Sequence, residues 1–128
     1  MKIEKDLEDL LLHFNVKTGI DVLILDKKEV MYFIGDTEKC IEYLYAPISD
    51  ELKRNRLEYN KLYVLNANLL SISDQTYIYF NSEAIYKLKN NILVFLKKDS
   101  SMKENDITSI ESTIYLVERF FDENTPAN

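Results

Sequence analysis

The chain has 128 residues, of which 46% are hydrophobic and 30% charged, a composition typical of one ordinary globular domain. Its 16 basic and 22 acidic residues give a net charge of -6, which disfavours direct binding to nucleic acid because such a chain would repel a phosphate backbone. Two glycines, one histidine and one cysteine are too few for a glycine-rich phosphate loop or a four-ligand structural zinc site, so no cofactor and no metal are predicted.

The N-terminal stretch is amphipathic, and helical spacing of its apolar side chains predicts a helix over residues 3–14. Acidic residues stand there where a secretory signal would be apolar, and the longest apolar run, residues 92–96, is too short to cross a bilayer. We therefore expect a cytoplasmic protein without membrane contact. After Gly19, the apolar runs at 21–26 and 30–35 flank a polar turn and predict a β-hairpin.

The middle of the chain alternates between helical and strand patterns. Capping residues and apolar spacing predict two short helices, over residues 37–46 and 49–59. A meander of antiparallel strands follows, with predicted strands at residues 62–66, 76–80, 84–88 and 92–98. The pair Asn90 and Asn91 suits a tight turn with positive φ between the last two strands. A polar linker then leads into a helix over residues 107–121.

This order predicts an α+β domain over residues 1–121, followed by a flexible tail at 122–128. We expect a GAF/PAS-like antiparallel sheet of about five strands, with short helices on one side and the N- and C-terminal helices packing as a bundle. Apolar seams run along both terminal helices, and Tyr115, Leu116 and Phe120 widen the second seam. The seams predict a homodimer with the interface residues Ile3, Leu7, Leu10, Phe14, Ile110, Ile114, Val117 and Phe121.

Several short motifs carry a family resemblance. Residues 22–26 have the form V-L-I-x-D, Gly35 ends the next strand, and residues 48–54 form an I-S-x-x-L-x-R helix start. With a further match at residues 93–121, the chain resembles the C-terminal GAF-like domain of stage V sporulation protein T. The resemblance implies a dimerising, ligand-sensing regulatory domain that adjusts transcription during sporulation through an AbrB-type DNA-binding domain. No such segment precedes the domain, so we expect either an excised or stand-alone sensor domain or a partner protein that carries the DNA binding.

The same resemblance implies a small-molecule effector beneath the two short helices. Aromatic walls with hydroxyl groups suit a small amphipathic ligand. The candidate ligand-binding residues are Tyr43, Arg54, Tyr59 and Tyr63, with Arg54 as the charged anchor. The family's glycine-rich turn before the last strand is absent at residues 88–92, so the hairpin beside this pocket must differ.

Catalysis has weak support in the sequence. His13 has no predicted nucleophile or orienting group, and Cys40 has no resolving cysteine, so a surface histidine and a buried apolar cysteine are the favoured interpretations. We therefore expect no enzymatic activity. The alternative to a sensor is a protein-interaction module of the same fold class without a ligand site, as in roadblock or longin-like domains. A closed, partly polar cavity between the sheet and residues 37–59 would favour the sensor, and a core filled by side chains there would favour the interaction module.

Overall fold

The computed structural model describes residues 4–26, 29–35, 58–65, 70–73, 76–78, 82–98 and 100–124. The two predicted short helices, with Cys40, Tyr43 and Arg54, lie outside the described residues, as does Ile3. The described helices are α1 (Lys5–Thr18) and α2 (Glu104–Asn124). The described strands are β1 (Asp21–Asp26), β2 (Glu29–Ile34), β3 (Leu62–Leu65), β4 (Leu70–Ser73), β5 (Thr76–Ile78), β6 (Ser82–Lys87) and β7 (Asn91–Lys97).

Five of these strands form one antiparallel sheet in the order β2-β1-β7-β6-β3. The predicted α+β class, the five-stranded antiparallel sheet and the hairpin of β1 and β2 are confirmed. Strands β4 and β5 pair with each other in a separate hairpin. Strand β4 was not predicted, because its sequence LSIS alternates over only four residues, the shortest run in which alternation indicates a strand.

Helix α1 ends at a glycine, as the sequence predicts, although it extends to Thr18 rather than residue 14. Gly19 adopts the left-handed conformation with φ 72, and its N–H donates to the carbonyl of Asn15 at 2.8 Å. This arrangement satisfies one of the carbonyls that have no partner at a helix end.

Both faces of the central strands are buried. Alternate side chains of the sheet face the two helices, and this core comprises Leu7, Leu11, Phe14, Val22, Ile24, Ala84, Leu93, Phe95, Ile110, Ile114 and Val117, among others. The intervening positions are buried on the opposite face, namely Leu23, Leu25, Ile85, Val94 and Leu96. This explains why β1 and β7 are continuous apolar runs rather than alternating ones.

The helix seams that suggested a dimer pack against the sheet of the same chain. Leu7, Phe14, Ile110, Ile114 and Val117 are all less than 6% exposed within the single chain, and Leu10 and Phe121 are half-buried against this core. One sheet face therefore accounts for the seams without a second copy. Dimerisation remains a prediction, but any dimer face on these helices must use the side chains that the sheet leaves exposed.

Two local predictions need correction. Strands β6 and β7 are joined by three residues, and the N–H of Leu88 donates to the carbonyl of Asn91 at 2.7 Å. The positive φ predicted at Asn90 and Asn91 is therefore wrong, since this longer connection does not need it; among the described non-glycine residues only Asn60 has positive φ. Helix α2 also continues to Asn124, three residues into the predicted tail.

Candidate functional site

Two adjoining grooves lie where α2 crosses the β3 and β6 side of the sheet. The first has a volume of about 410 Å³ and is lined by Tyr59, Asn60, Leu88, Lys89 and Glu118. The second has a volume of about 330 Å³ and is lined by Asn60, Leu62, Tyr86, Glu111, Ile114, Tyr115 and Glu118. Because they share Asn60 and Glu118, we treat them as one feature, the α2 groove. It is open to solvent along its length.

The segment entering β3 forms one wall of the α2 groove. Asn60 has φ 58, a left-handed conformation that asparagine tolerates better than most residues, and its N–H donates to the carbonyl of Lys87 at 2.9 Å. The ammonium of Lys87 lies 4.4 Å from the ring centroid of Tyr59, within range of a cation–π contact. These contacts fix the mouth of the groove, where Tyr59 is 58% exposed.

A hydrogen bond joins the sheet to α2 inside the groove. The hydroxyl of Tyr86 on β6 donates to Oε1 of Glu118 on α2. Burial, followed by this hydrogen bond and the negative charge of Glu118, raises the pKa of Tyr86 above that of an ordinary tyrosine. Tyr86 therefore stays a neutral donor on the groove wall.

The groove-facing residues of α2 follow helical spacing. Glu111, Tyr115 and Glu118 occupy positions i, i+4 and i+7, so they share one side of the helix. The ring of Tyr115 is 59% exposed, and the guanidinium of Arg119 lies 5.9 Å from its centroid. The sequence signal for this set was the presence of Tyr115 beside the apolar seam, but the two carboxylates were not predicted as site residues.

Large apolar side chains are also exposed on the outer surface of the helices. Among the described residues, those that are clearly exposed are Leu12 (46%), Val16 (77%), Tyr59, Tyr115 and Leu116 (44%). Leu12 and Val16 share one side of α1 because they are four residues apart. All five therefore lie on α1, on α2 or at the mouth of the α2 groove.

The predicted ligand-binding residues that the structure describes do not come together. Tyr59 lines the α2 groove, whereas Tyr63 stands opposite Ile85 on β6 and is absent from the described lining. The hydroxyl of Tyr63 accepts the N–H of Glu58 at 3.1 Å. Tyr43 and Arg54 lie outside the described residues, so the anchor assignment stays a prediction.

The candidate base His13 is exposed on α1. No group of three or more potential metal ligands occurs among the residues that the structure describes. Within the same ranges, no helix is both long and apolar enough to span a bilayer.

Comparison with known proteins gives a result at the level of the fold. No family model matches the sequence, and no curated protein matches it. The fold is similar to that of Myxococcus xanthus MglB. The TM-score is 0.66 at 10% sequence identity, and the match covers 100% of this chain and 98% of MglB. MglB has a roadblock/longin-like fold, and the α+β domain described above is consistent with that fold.

This likeness overturns the resemblance to stage V sporulation protein T, which is wrong, and the GAF label is not confirmed. The motifs that carried it describe a buried strand, a glycine after a strand and a capped helix start, which many small α+β domains share. Sporulation, transcription regulation, a DNA-binding partner and a small-molecule effector have no support in the structural comparison.

Proposed function

We propose that this chain is a non-enzymatic regulatory module that acts by binding other protein chains and works as a homodimer. The observation that carries the proposal is the likeness to a roadblock/longin-like protein over the full length of both chains. A small regulatory interaction module is the function this fold supports best, and it corresponds to the alternative drawn from the sequence.

The exposed apolar side chains support an interaction module independently of the fold. Leu12, Val16 and Leu116 present aliphatic surface on the helices, outside the core that the helices share with the sheet. Leu12 and Val16 lie one turn apart on α1, and adjoining exposed apolar side chains often mark a surface that a partner covers. Self-association through this helix surface would cover them.

The predicted sensor cavity, between the sheet and residues 37–59, lies almost wholly outside the described residues, so the support for an interaction module comes from the face that packs on the two helices and from the α2 groove. The face between the sheet and the helices is filled by aliphatic side chains and by the edge-to-face pair of Phe14 and Phe95, whose centroids are 5.6 Å apart. The α2 groove lies at the surface and is open to solvent, whereas small-molecule sites usually bury most of the ligand. An open groove of this kind suits a segment of another protein.

Sedimentation velocity tests the homodimer. We expect the wild type to sediment as a dimer at tens of micromolar, and we expect the double variant Leu12→Glu with Leu116→Glu to shift it towards monomer because charge in an apolar interface is costly. Asn105→Glu, on the exposed first turn of α2, is the matched control and should leave the dimer intact. A monomeric wild type contradicts the dimer, and a dimer that survives the double variant contradicts the use of this surface.

Native affinity purification of the tagged full chain from its source cells tests partner binding. We expect a protein partner recovered in stoichiometric amount that is lost on Leu116→Glu or on substitutions in the α2 groove. Recovery of no such partner, together with a monomeric chain, would contradict an interaction module.

A further inference from the structure

We propose that the α2 groove binds a basic segment of a partner protein. Cationic side chains of that segment pair with the carboxylates of Glu111 and Glu118, and an apolar side chain of it packs against Tyr115. This inference rests on the proposed function and adds the surface and the chemistry of the partner.

The spacing of the two carboxylates sets the reach of the occupant. Glu111 and Glu118 are seven residues apart on α2, which places their backbone positions about 10.5 Å apart along the helix axis. Three residues of an extended segment span about 10 Å, and so do two turns of a helix. In a polyproline II segment, side chains three residues apart share one side and lie about 9 Å apart, so an extended segment of this conformation with cationic residues three apart matches both carboxylates.

The charges in the groove are available for such an occupant. Glu111 is exposed and belongs to none of the ion pairs formed by the described residues, and the described partner of Glu118 is the neutral hydroxyl of Tyr86. Tyr115 lies between the two carboxylates, and its exposed ring, with the chain's own Arg119 guanidinium 5.9 Å from the centroid, adds apolar contact and a second face for a partner's guanidinium. Arginine suits this combination because it pairs with carboxylates and stacks on aromatic rings.

The two ends of the α2 groove differ in charge, because Lys89 lines the part that does not contain Glu111 and Tyr115. The basic part of the occupant should therefore lie at the Glu111 end, with neutral or acidic residues towards Lys89.

A second copy of this chain is a poor occupant. The chain has a net charge of -6, so two copies repel each other at an acidic surface. Three lysines near the groove or on the adjoining hairpin already have partners, since Lys87 lies over Tyr59, Lys97 pairs with Asp106 and Lys98 pairs with Asp21. Charge complementarity therefore favours a different, basic protein.

Heteronuclear NMR with a synthetic peptide tests the proposal on the full chain. The probe is a short capped peptide in which two arginines, three residues apart, flank a leucine; in the matched control peptide, glutamates replace the arginines. We expect the arginine peptide to shift the amide signals of Asn60, Leu62, Tyr86 and Glu118 at low salt, and we expect the glutamate peptide to leave them unchanged.

Groove variants separate the site from general attraction between opposite charges. Glu111→Gln should weaken peptide binding about threefold, in line with one exposed ion pair, and Tyr115→Ala about fivefold or more. Glu104→Gln removes the same charge from α2 outside the groove and should change binding by less than about twofold. Equal effects of Glu111→Gln and Glu104→Gln, shifts confined to α1, or equal binding of both peptides would overturn the proposal.

The outcome with natural partners distinguishes this inference from the proposed function. If a partner or a dimer is found but is unaffected by Glu111→Gln and Tyr115→Ala, the interaction module stands and the groove assignment is wrong. If these two variants dissociate a homodimer instead, the occupant is a second copy and the basic partner is ruled out.

Discussion

Replacing Gly35 by alanine should destabilise the fold through one specific contact. Gly35 follows β2 with φ 151, and a Cβ at this position would lie 2.2 Å from Cγ and 2.4 Å from Oδ1 of Asp21. Asp21 is only 2% exposed. Its carboxylate accepts the side-chain amide of Asn15 at 3.2 Å and pairs with the ammonium of Lys98 at 3.3 Å. The new methyl group must displace this carboxylate or the strand that carries it.

The size of the effect follows from two costs. A non-glycine residue at positive φ costs about 1 to 2 kcal/mol, and disturbing hydrogen bonds to a charged group costs about 1.5 to 3 kcal/mol. We therefore expect Gly35→Ala to lower the free energy of unfolding by about 3 to 4 kcal/mol, which corresponds to a fall in Tm of about 10 °C or more for a chain of this size.

Gly19→Ala is the matched control for this prediction. Gly19 also has positive φ, at 72, but a Cβ there would meet nothing within 4 Å. Gly19→Ala should lower the free energy of unfolding by about 1 to 2 kcal/mol, which is the cost of the backbone conformation alone. Urea denaturation of both variants measures the difference. Equal losses for Gly19→Ala and Gly35→Ala would refute the reasoning, and so would an undiminished effect of Gly35→Ala in an Asp21→Ala background, which lacks the two nearest atoms.

Three further predictions use the same stability assays. Val117→Asp should unfold the chain or lower the free energy of unfolding by several kcal/mol because Val117 is fully buried. Leu116→Asp, at an exposed position, should lower it by less than about 1 kcal/mol. Similar losses for the two variants in urea denaturation would contradict the assignment of the seam to the core. Burial, then nearby carboxylates, raises the pKa values of Tyr32 and Tyr86. The contribution of these neutral tyrosines to the free energy of unfolding is therefore complete below the ordinary tyrosine pKa and is lost as pH rises above it. Ultraviolet titration should show that Tyr32 and Tyr86 ionise above the ordinary tyrosine range, and Tyr86→Phe should remove one of these late-ionising groups. Burial alone would raise the pKa of Asp106, but the N–H of Lys103 and the ammonium of Lys97 outweigh burial and lower this pKa. The contribution of the Asp106 carboxylate to stability is therefore present above about pH 4 and is lost as pH falls below it. Asp106→Asn should flatten that acid dependence, and an unchanged pH profile would contradict it.

The order of elements could be predicted because their signals are local. Apolar spacing marked α1 and α2, Gly19 marked the end of α1, and the two apolar runs with a polar turn marked the first hairpin. Each of these depends on residues within a few positions of one another, which is the range over which helix and strand patterns act.

The family and the site could not be predicted because they depend on long-range packing. The apolar seams of α1 and α2 fit either a dimer interface or a sheet face. Only the three-dimensional packing shows that Ile110, Ile114 and Val117 are buried against the sheet of the same chain. The α2 groove brings Tyr59 and Asn60 next to Glu118, a separation of nearly half the chain. No motif of short range records such a contact.

The geometry of α2 explains why this helix is the centre of the proposed function. Successive side chains are rotated by about 100° around the helix axis, so neighbouring residues lie on different sides of α2. Ile110, Ile114 and Val117 face the sheet, and the next residue after each of them, Glu111, Tyr115 and Glu118, lines the groove. One further step reaches Leu116 on the exposed side. Both faces of the described central strands β1, β6 and β7 are buried, so these strands leave little surface for a partner. One helix therefore anchors the core, forms the wall of the groove and supplies exposed apolar surface, so substitutions one position apart should separate folding from binding.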